Sequence, residues 1–390
     1  MMRRGGSDTV SDARRPDGTL RSPGDSGKTS ARIARHLGQA VTISRPLLWL
    51  NTSMPFLWAL ARGRRRFGPL EVVFLAFFTF PYNYFLHAVN DLFDFETDRI
   101  NPRKGGVEGA LTPRRELRGH AIASCVLVVP FLLLSALRLP WRATASLAAL
   151  LGLSLAYNAP PLRLKSRPLA DSLTNVLYAL PMQTGIHATG STDAVAPATQ
   201  VFAAWGIAAH ALTTITDREE DAAAGVTTIA VPLGNPATAA FAAGWFGIAA
   251  LRARTWLGSW STAVPFVPYL AMCVAGRTVE GRGGRLLYRW FLATNVVLGF
   301  AVTLAVILPL GIAQALYVGA FATALSAVAM LPSVGRAALA RSSVRGEPAP
   351  KPAAAPMPTP APKPAAMPQP TATPQPTAAG PGALDGRNEP

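Results

Sequence analysis

Val72-Val73-Phe74-Leu75-Ala76-Phe77-Phe78-Thr79-Phe80-Pro81-Tyr82-Asn83-Tyr84-Phe85-Leu86-His87-Ala88-Val89 is an apolar run that ends abruptly in Asn90-Asp91-Leu92-Phe93-Asp94-Phe95-Glu96-Thr97-Asp98. The whole stretch, at 68–91, matches the roughly 20 residues a helix needs to cross a bilayer. Carboxylates placed where such a helix leaves hydrocarbon are costly, and they point to function by default. A second acidic group closes another apolar stretch at Asp217-Arg218-Glu219-Glu220-Asp221-Ala222-Ala223-Ala224-Gly225.

The rest of the chain gives both clusters the same setting. Apolar stretches recur at 43–61, 119–138, 143–159, 170–190, 197–216, 236–252, 258–276, 287–309 and 312–332, making ten candidate spans with 68–91. Half of the residues are hydrophobic and only 15% are charged, a balance of polytopic membrane proteins rather than of soluble domains. The expected fold class is all-α, a polytopic bundle of membrane helices occupying 41–335. Residues 1–40 are rich in Arg, Asp, Ser and Gly, without apolar periodicity before Ile33. Most of this arm is expected to be disordered, with a short amphipathic lead-in. The tail, 336–390, becomes a Pro-Ala-Thr-Gln tract after Gly346, which buries no core and favours extended polyproline geometry.

A formal net charge of +16 invites nucleic acid as a partner, but its distribution argues against one. Arg and Lys gather in short inter-span loops and in the arm, as membrane topology requires, and no folded basic domain stands outside the spans. With alternating spans, the loops 99–118, 163–167 and 217–228 share one side with the arm and with Arg277, Arg282, Arg285 and Arg289. That side is expected to be cytoplasmic and the location the plasma membrane; Arg62, Arg64, Arg65 and Arg66 in the first loop oppose it. Cys125 and Cys273 lie inside spans with no CxxC or metal-ligand spacing, so they are expected to be packing residues.

In helical geometry Asn90, Asp94 and Asp98 fall at i, i+4 and i+8, drifting about 40° per step, and form one stripe of oxygen ligands. Asp91 stands about 100° round the helix, placed to orient the set or to meet a second ion. Asp217 and Asp221 repeat the spacing. Mg²⁺ takes one or two carboxylates plus substrate phosphates and water, and two facing half-sites would clamp a diphosphate through bridging ions. Solvated helix caps are the bland account of either cluster alone; the shared spacing and side favour the metal reading. Arg99, Arg103 and Lys104 follow the first cluster. Arg163 and Lys165 follow the prolines of Tyr157-Asn158-Ala159-Pro160-Pro161-Leu162-Arg163-Leu164-Lys165, which end a span and turn the chain back to the site. Such cations suit phosphate, although topology alone accounts for any one of them. Tyr82, Tyr84, Phe85, Phe93 and Phe95 crowd the first cluster; ring faces stabilise cations, or the rings pack and meet lipid. His87, one turn above the cluster, is a candidate base or a hydrogen-bonded core histidine.

NDxxDxxxD at Asn90–Asp98, a YxxPPxxxK-like stretch at Tyr157–Lys165 and DxxxDxxxGxxT at Asp217–Thr228, in this order, resemble the UbiA-type intramembrane prenyltransferases over about 43–332. The resemblance implies nine membrane helices around a central chamber, a number from which the tenth apolar stretch, 312–332, departs, and Mg²⁺-dependent prenyl transfer from an allylic diphosphate. Carried over, Asn90, Asp91, Asp94, Asp98, Asp217 and Asp221 hold two Mg²⁺ ions, and Asp94, Asp98, Asp217 and Asp221 serve catalysis. Arg103, Lys104 and Lys165, with Arg99 and Arg163, meet the diphosphate; Tyr157 is the middle-motif tyrosine, with Tyr84 and His87 beside the cation. Thr213 and Thr214 stand where many relatives have another acidic or amide residue. The stretches Ser44–Thr52, Tyr82–Phe85 and Asn90–Gly109 are similar to the lycopene elongases, which implies dimethylallyl diphosphate (DMAPP) as donor, lycopene from the membrane lipid as acceptor, and C45/C50 carotenoids. The rivals are an aromatic prenyltransferase of quinone biosynthesis and a secondary transporter with paired acidic ion sites. The first wants an Arg for the acceptor's carboxylate, which the sequence does not single out. The second places its sites at midplane on broken helices, whereas these acids close their spans beside basic loops.

Overall fold

In the computed structural model, residues 23–63, 68–100, 111–191 and 196–307 are described, and they are all-helical, with no strand among them. Contacts divide the chain into Met1–Gly346 and Glu347–Pro390; the second unit, the 312–332 stretch and the basic residues Arg103 and Lys104 lie outside the described residues.

The first helix, α1 (Pro23–Ile43), extends upstream of Ile33, where apolar periodicity begins. It packs Ala40 and Ile43 inward and leaves Ile33 and Leu37 exposed. Arg45 adopts a left-handed conformation (φ 51°), which ends the helical path, and a 3-10 turn, Pro46–Leu48, leads into α2 (Leu50–Gly63). The next span is two helices, α3 (Pro69–Thr79) and α4 (Pro81–Phe93). Pro81 lacks a donor and its ring crowds the preceding turn, yet Phe80 N still bonds Ala76 O and Tyr84 N bonds Phe80 O. The combined segment Pro69–Phe93 is one of two among the described residues that are long and apolar enough to cross a membrane. After the short α5 (Phe95–Ile100) comes the other, α6 (Arg114–Arg138).

α7 (Trp141–Asn158) coincides with an expected span. The stretch 170–190 does not form one helix: it divides into α8 (Ala170–Leu173), a 3-10 segment Thr174–Ala179 and α9 (Leu180–Ala188). Thr174 and Asn175 donate their side chains to the Ala170 and Asp171 carbonyls, and such local bonds compete with regular helix. α10 (Pro197–Ala223) and α11 (Ala230–Leu257) follow, α11 ending at Gly258 in the left-handed region (φ 80°). The 258–276 stretch is likewise divided, into a 3-10 segment Trp260–Phe266 and α12 (Val267–Gly276), before α13 (Arg282–Ile307).

The outside of the bundle is apolar where water would demand polarity. α6 turns Leu117, Ala121, Ser124 and Val128 inward and leaves Ile122, Val126, Val129, Leu133 and Leu137 exposed, a stripe suited to lipid. Inside, α2, α3, α4 and α7 bury Phe56, Phe74, Phe77, Phe78, Tyr82, Leu147 and Leu150. The α10–α11 contact is built from Ala204, Ala208, Ala211, Ala239 and Ala242; small side chains let helix backbones approach closely where lipid removes most of the hydrophobic drive. The C-terminal ends of α4, α7 and α10 carry the three motifs. Exposed Trp141 and Trp260 mark the α6–α7 and α11–α12 links at the other end, as interfacial aromatics do.

Candidate active site

α4 delivers Asn90 and Asp91 in its last turn, then opens at Asp94 (φ −104°, ψ 8°) before α5 begins. The expected straight stripe is therefore bent. Asp94 N still bonds Asn90 O at 3.0 Å and Asp98 N bonds Asp94 O at 2.8 Å, so the one-turn spacing survives the bend. Arg163 supplies the reason: its Nη2 donates to the Phe93 carbonyl and to Asp94 Oδ1, each at 3.3 Å, serving a carbonyl that a broken helix leaves open.

The middle motif folds onto this end of α4. Past a cis Pro160–Pro161 bond the chain turns at Arg163 (φ 38°), and Lys165 Nζ donates to Asp94 Oδ2 at 2.7 Å and to Asn158 Oδ1 at 3.2 Å. Asn158, fully buried, also accepts from Asn90 Nδ2 at 2.8 Å. Burial pushes the Lys165 ammonium below the usual lysine range, and the Asp94 carboxylate opposes that shift. Asp91 is drawn aside: its Oδ1 takes a 2.7 Å ion pair from Arg45 Nη2, which also reaches Asn90 Oδ1 at 3.4 Å.

Asp217 and Asp221 lie half-buried on the last two turns of α10. Thr216 Oγ1 donates to Asp217 Oδ1 at 3.1 Å, and Thr228 Oγ1 to Asp221 Oδ2 at 2.8 Å. The turn between needs Gly225 (φ 70°), and Val226 N closes it on the Asp221 carbonyl. The segment from Arg163 to Asp171 links the two halves. Lys165 binds Asp94, while Asp171 Oδ2 accepts from Ile229 N at 2.7 Å, one residue beyond Thr228.

Tyr157 OH lies 3.0 Å from His210 Nε2. Tyr84 is elsewhere: it stacks on Phe80 and bonds His120 Nδ1 at 2.7 Å, toward α1 and α6. His87 is buried within α4, and nothing is described of the Arg99 side chain. Arg45, Asn158, Asp171 and His210 were not singled out from sequence. Two carried a signal: Asp171 and His210 are ionisable residues inside apolar stretches.

Among the described residues, no three His, Cys, Asp or Glu side chains gather into one metal-holding group. The donors present at the motifs are nevertheless carboxylate and amide oxygens, the set a hard cation prefers. Mg²⁺ completed by phosphate oxygens and water asks for only one or two carboxylates, and Asp94 with Asn90, or Asp217 with Asp221, meets that demand.

Residues 52–289 match the UbiA prenyltransferase family. The chain is 34% identical to the lycopene elongase/hydratase of Halobacterium salinarum over 67% of its own length and 94% of that protein's. Its identity to the Haloarcula japonica lycopene elongase/hydratase is 33%, over 69% and 90% of the two chains. The C(50) beta-cyclic carotenoids biosynthesis protein LbtBC of Dietzia sp. is 35% identical over 67% of this chain, which spans only 62% of that protein. In fold, the chain resembles the UbiA homolog from Archaeoglobus fulgidus bound to DMAPP and Mg²⁺, at a TM-score of 0.50 and 18% identity over 68% and 98% of the two chains. It resembles the apo UbiA homolog from Aeropyrum pernix K1 equally, at 0.50 and 18% over 65% and 97%. Fold and site together define an all-helical, integral membrane protein of the prenyltransferase class. The chain belongs to the UbiA prenyltransferase family.

Proposed function

We propose that the protein transfers a dimethylallyl, C5, group from DMAPP to the end of lycopene, on the way to C45/C50 carotenoids. The acceptor is carried by one observation: the haloarchaeal relatives named lycopene elongase/hydratase are matched over nearly their whole length. The donor is supported by the cationic end of α4, where Lys165 and Arg163 both stand on Asp94.

Asn90, Asp94 and Asp98 on one side, with Asp217 and Asp221 on the other, would hold two Mg²⁺ ions. Bound there, the metal would supply positive charge against the diphosphate as it leaves. Lys165 and Arg163 turn from Asp94 to the phosphate oxygens and neutralise charge as the C–O bond ionises. Asn158, bonded to Asn90 and Lys165 alike, keeps donor and cation in register. Arg45 holds Asp91 and so fixes the last turn of α4. The allylic cation then forms in an apolar, water-poor chamber where hydrolysis is slow, and the terminal double bond of lycopene attacks it, leaving a tertiary cation on the acceptor. A bundle of nine or ten spans open to lipid would admit the polyene from the bilayer, and the basic loops support a site on the cytoplasmic side of the plasma membrane.

Expression in a lycopene-accumulating host, followed by mass spectrometry of the pigments, tests the reading. C45 and C50 pigments are the expected result. Unchanged pigments with the protein present in the membrane contradict it, and prenylation of a supplied hydroxybenzoate instead would establish the quinone reading.

A further inference from the structure

Tyr157 and His210 form a polar pair that the reaction above leaves idle. Their rings meet edge-on, with centroids 6.2 Å apart at 86°, and the hydroxyl lies 3.0 Å from Nε2. On the far side of the imidazole, Nδ1 stands 3.3 Å from Ser172 Oγ and 3.9 Å from Asp171 Oδ2. Asp171 is fully buried, and its Oδ1 meets no hydrogen-bond partner among the described residues. With the Tyr157 hydroxyl donating to Nε2, the resident imidazole proton sits on Nδ1 and faces Ser172. A buried carboxylate 3.9 Å from that nitrogen becomes an ion-pair partner once the ring gains a second proton.

Position matters as much as bonding. His210 precedes Asp217 by seven residues on α10, which is about 10.5 Å, two turns, deeper into the bundle and nearly on the same face. Tyr157 directly precedes Asn158, the amide that joins Asn90 to Lys165, and lies within electrostatic reach of both Asp94 and Asp171. The pair therefore stands just inside the carboxylates, where the carbon skeleton of a diphosphate held there extends. Neither residue is fully buried, and the His210 side chain keeps 19% of its surface, which leaves room for an occupant to touch the pair.

We propose that Tyr157 and His210 are the proton relay that terminates prenyl transfer, with Ser172 and Asp171 as its positioning residues. The proposal rests on the prenyl-transfer reading. After the acceptor double bond captures the C5 cation, a tertiary carbocation remains. A C–H bond beside it breaks; its electron pair becomes the new C=C bond and its proton passes to the Tyr157 oxygen, while the Tyr157 proton moves to His210 Nε2. His210 becomes an imidazolium facing the Asp171 carboxylate, and the proton returns to water when product leaves. Where water adds to the cation instead, the same relay takes the oxonium proton and the product is a tertiary alcohol. This assigns the terminating base to His210 rather than to His87.

Full-length protein in membranes, supplied with DMAPP and lycopene, gives three readouts: diphosphate released, acceptor prenylated and free C5 alcohol. His210→Gln keeps a polar side chain but cannot accept a proton. It is expected to release diphosphate within about threefold of wild type while prenylation falls about 100-fold, the range of general-base catalysis; the unterminated tertiary cation reverts by breaking the new C–C bond, and water captures the regenerated C5 cation as free alcohol that makes up the difference. Tyr157→Phe, which keeps the ring, is expected to uncouple in the same direction. A wild-type ratio of prenylated acceptor to diphosphate in both variants overturns the proposal, as does an equal fall of both quantities in both variants. Failure of the underlying reading shows differently, because the wild-type protein then prenylates no lycopene.

Discussion

The two aspartate motifs share a spacing in the sequence and differ in what the fold does with them. Asp94 is held by cations from a segment some seventy residues away, at 2.7 Å from Lys165 and 3.3 Å from Arg163. Asp217 and Asp221 instead meet hydroxyls of their own neighbourhood, Thr216 and Thr228. The bonds described at the first motif thus reach across the chain, whereas those described at Asp217 and Asp221 come from a helix end and its closing turn. Under the proposed function the contrast would divide the labour: the α4 end ordering the diphosphate and its leaving charge, the α10 end offering carboxylates that adjust locally.

The largest effects should fall on the first motif. Asp94→Ala is expected to lower turnover at least about 1000-fold, since it removes a proposed metal ligand and the group on which two cations stand, with helical content by circular dichroism preserved. Asp221→Ala should cost about 100-fold and show a raised Mg²⁺ requirement, because Asp217 remains one turn away. Equal losses in the two variants, with equal Mg²⁺ dependence, would break the comparison.

Lys165→Met comes next. It should raise the DMAPP concentration needed for half-maximal rate about 30-fold, as expected for losing a charge-assisted phosphate contact, with a smaller fall in maximal rate. An unchanged requirement would leave Lys165 as a structural partner of Asp94. Asn158→Ala removes the amide shared by Asn90 and Lys165 and leaves buried polar partners unsatisfied, at about 1–3 kcal/mol. Turnover should fall about tenfold with a lower unfolding temperature, a shift of 1.4 kcal/mol corresponding to each factor of ten. Thr228→Val is the mildest: loss of one hydrogen bond to Asp221, about 1 kcal/mol, should raise the Mg²⁺ requirement a few-fold and leave DMAPP binding unchanged.

Much of the architecture was legible because lipid imposes long apolar runs, and motifs at their ends stay at their ends. Asp94 and Lys165 could be named from residue type and spacing alone. Their junction could not, because the break at Asp94 is stabilised by Arg163 from another helix end. Arg45 was hidden for a similar reason: its left-handed turn and the buried Asp91 opposite it, both features of the fold, give it a place. The 170–190 run had the composition of a span, yet its Thr174 and Asn175 side chains take backbone carbonyls and split it. Tyr84 shows the opposite failure. It lies close to the first motif in sequence, but the direction of its side chain sends it to His120, while His210, distant in sequence, meets Tyr157.

The claim that both aspartate motifs grip one metal–diphosphate unit is tested most directly by anomalous diffraction from crystals holding Mn²⁺ and a non-ionising thio-analogue of DMAPP. Manganese peaks between the α4 and α10 ends, with carboxylate oxygens of Asp94 and of Asp217 or Asp221 as ligands and the diphosphate bridging them, are the expected result. A bound analogue with metal at one aspartate motif alone, or with neither motif within coordination distance, would contradict the account.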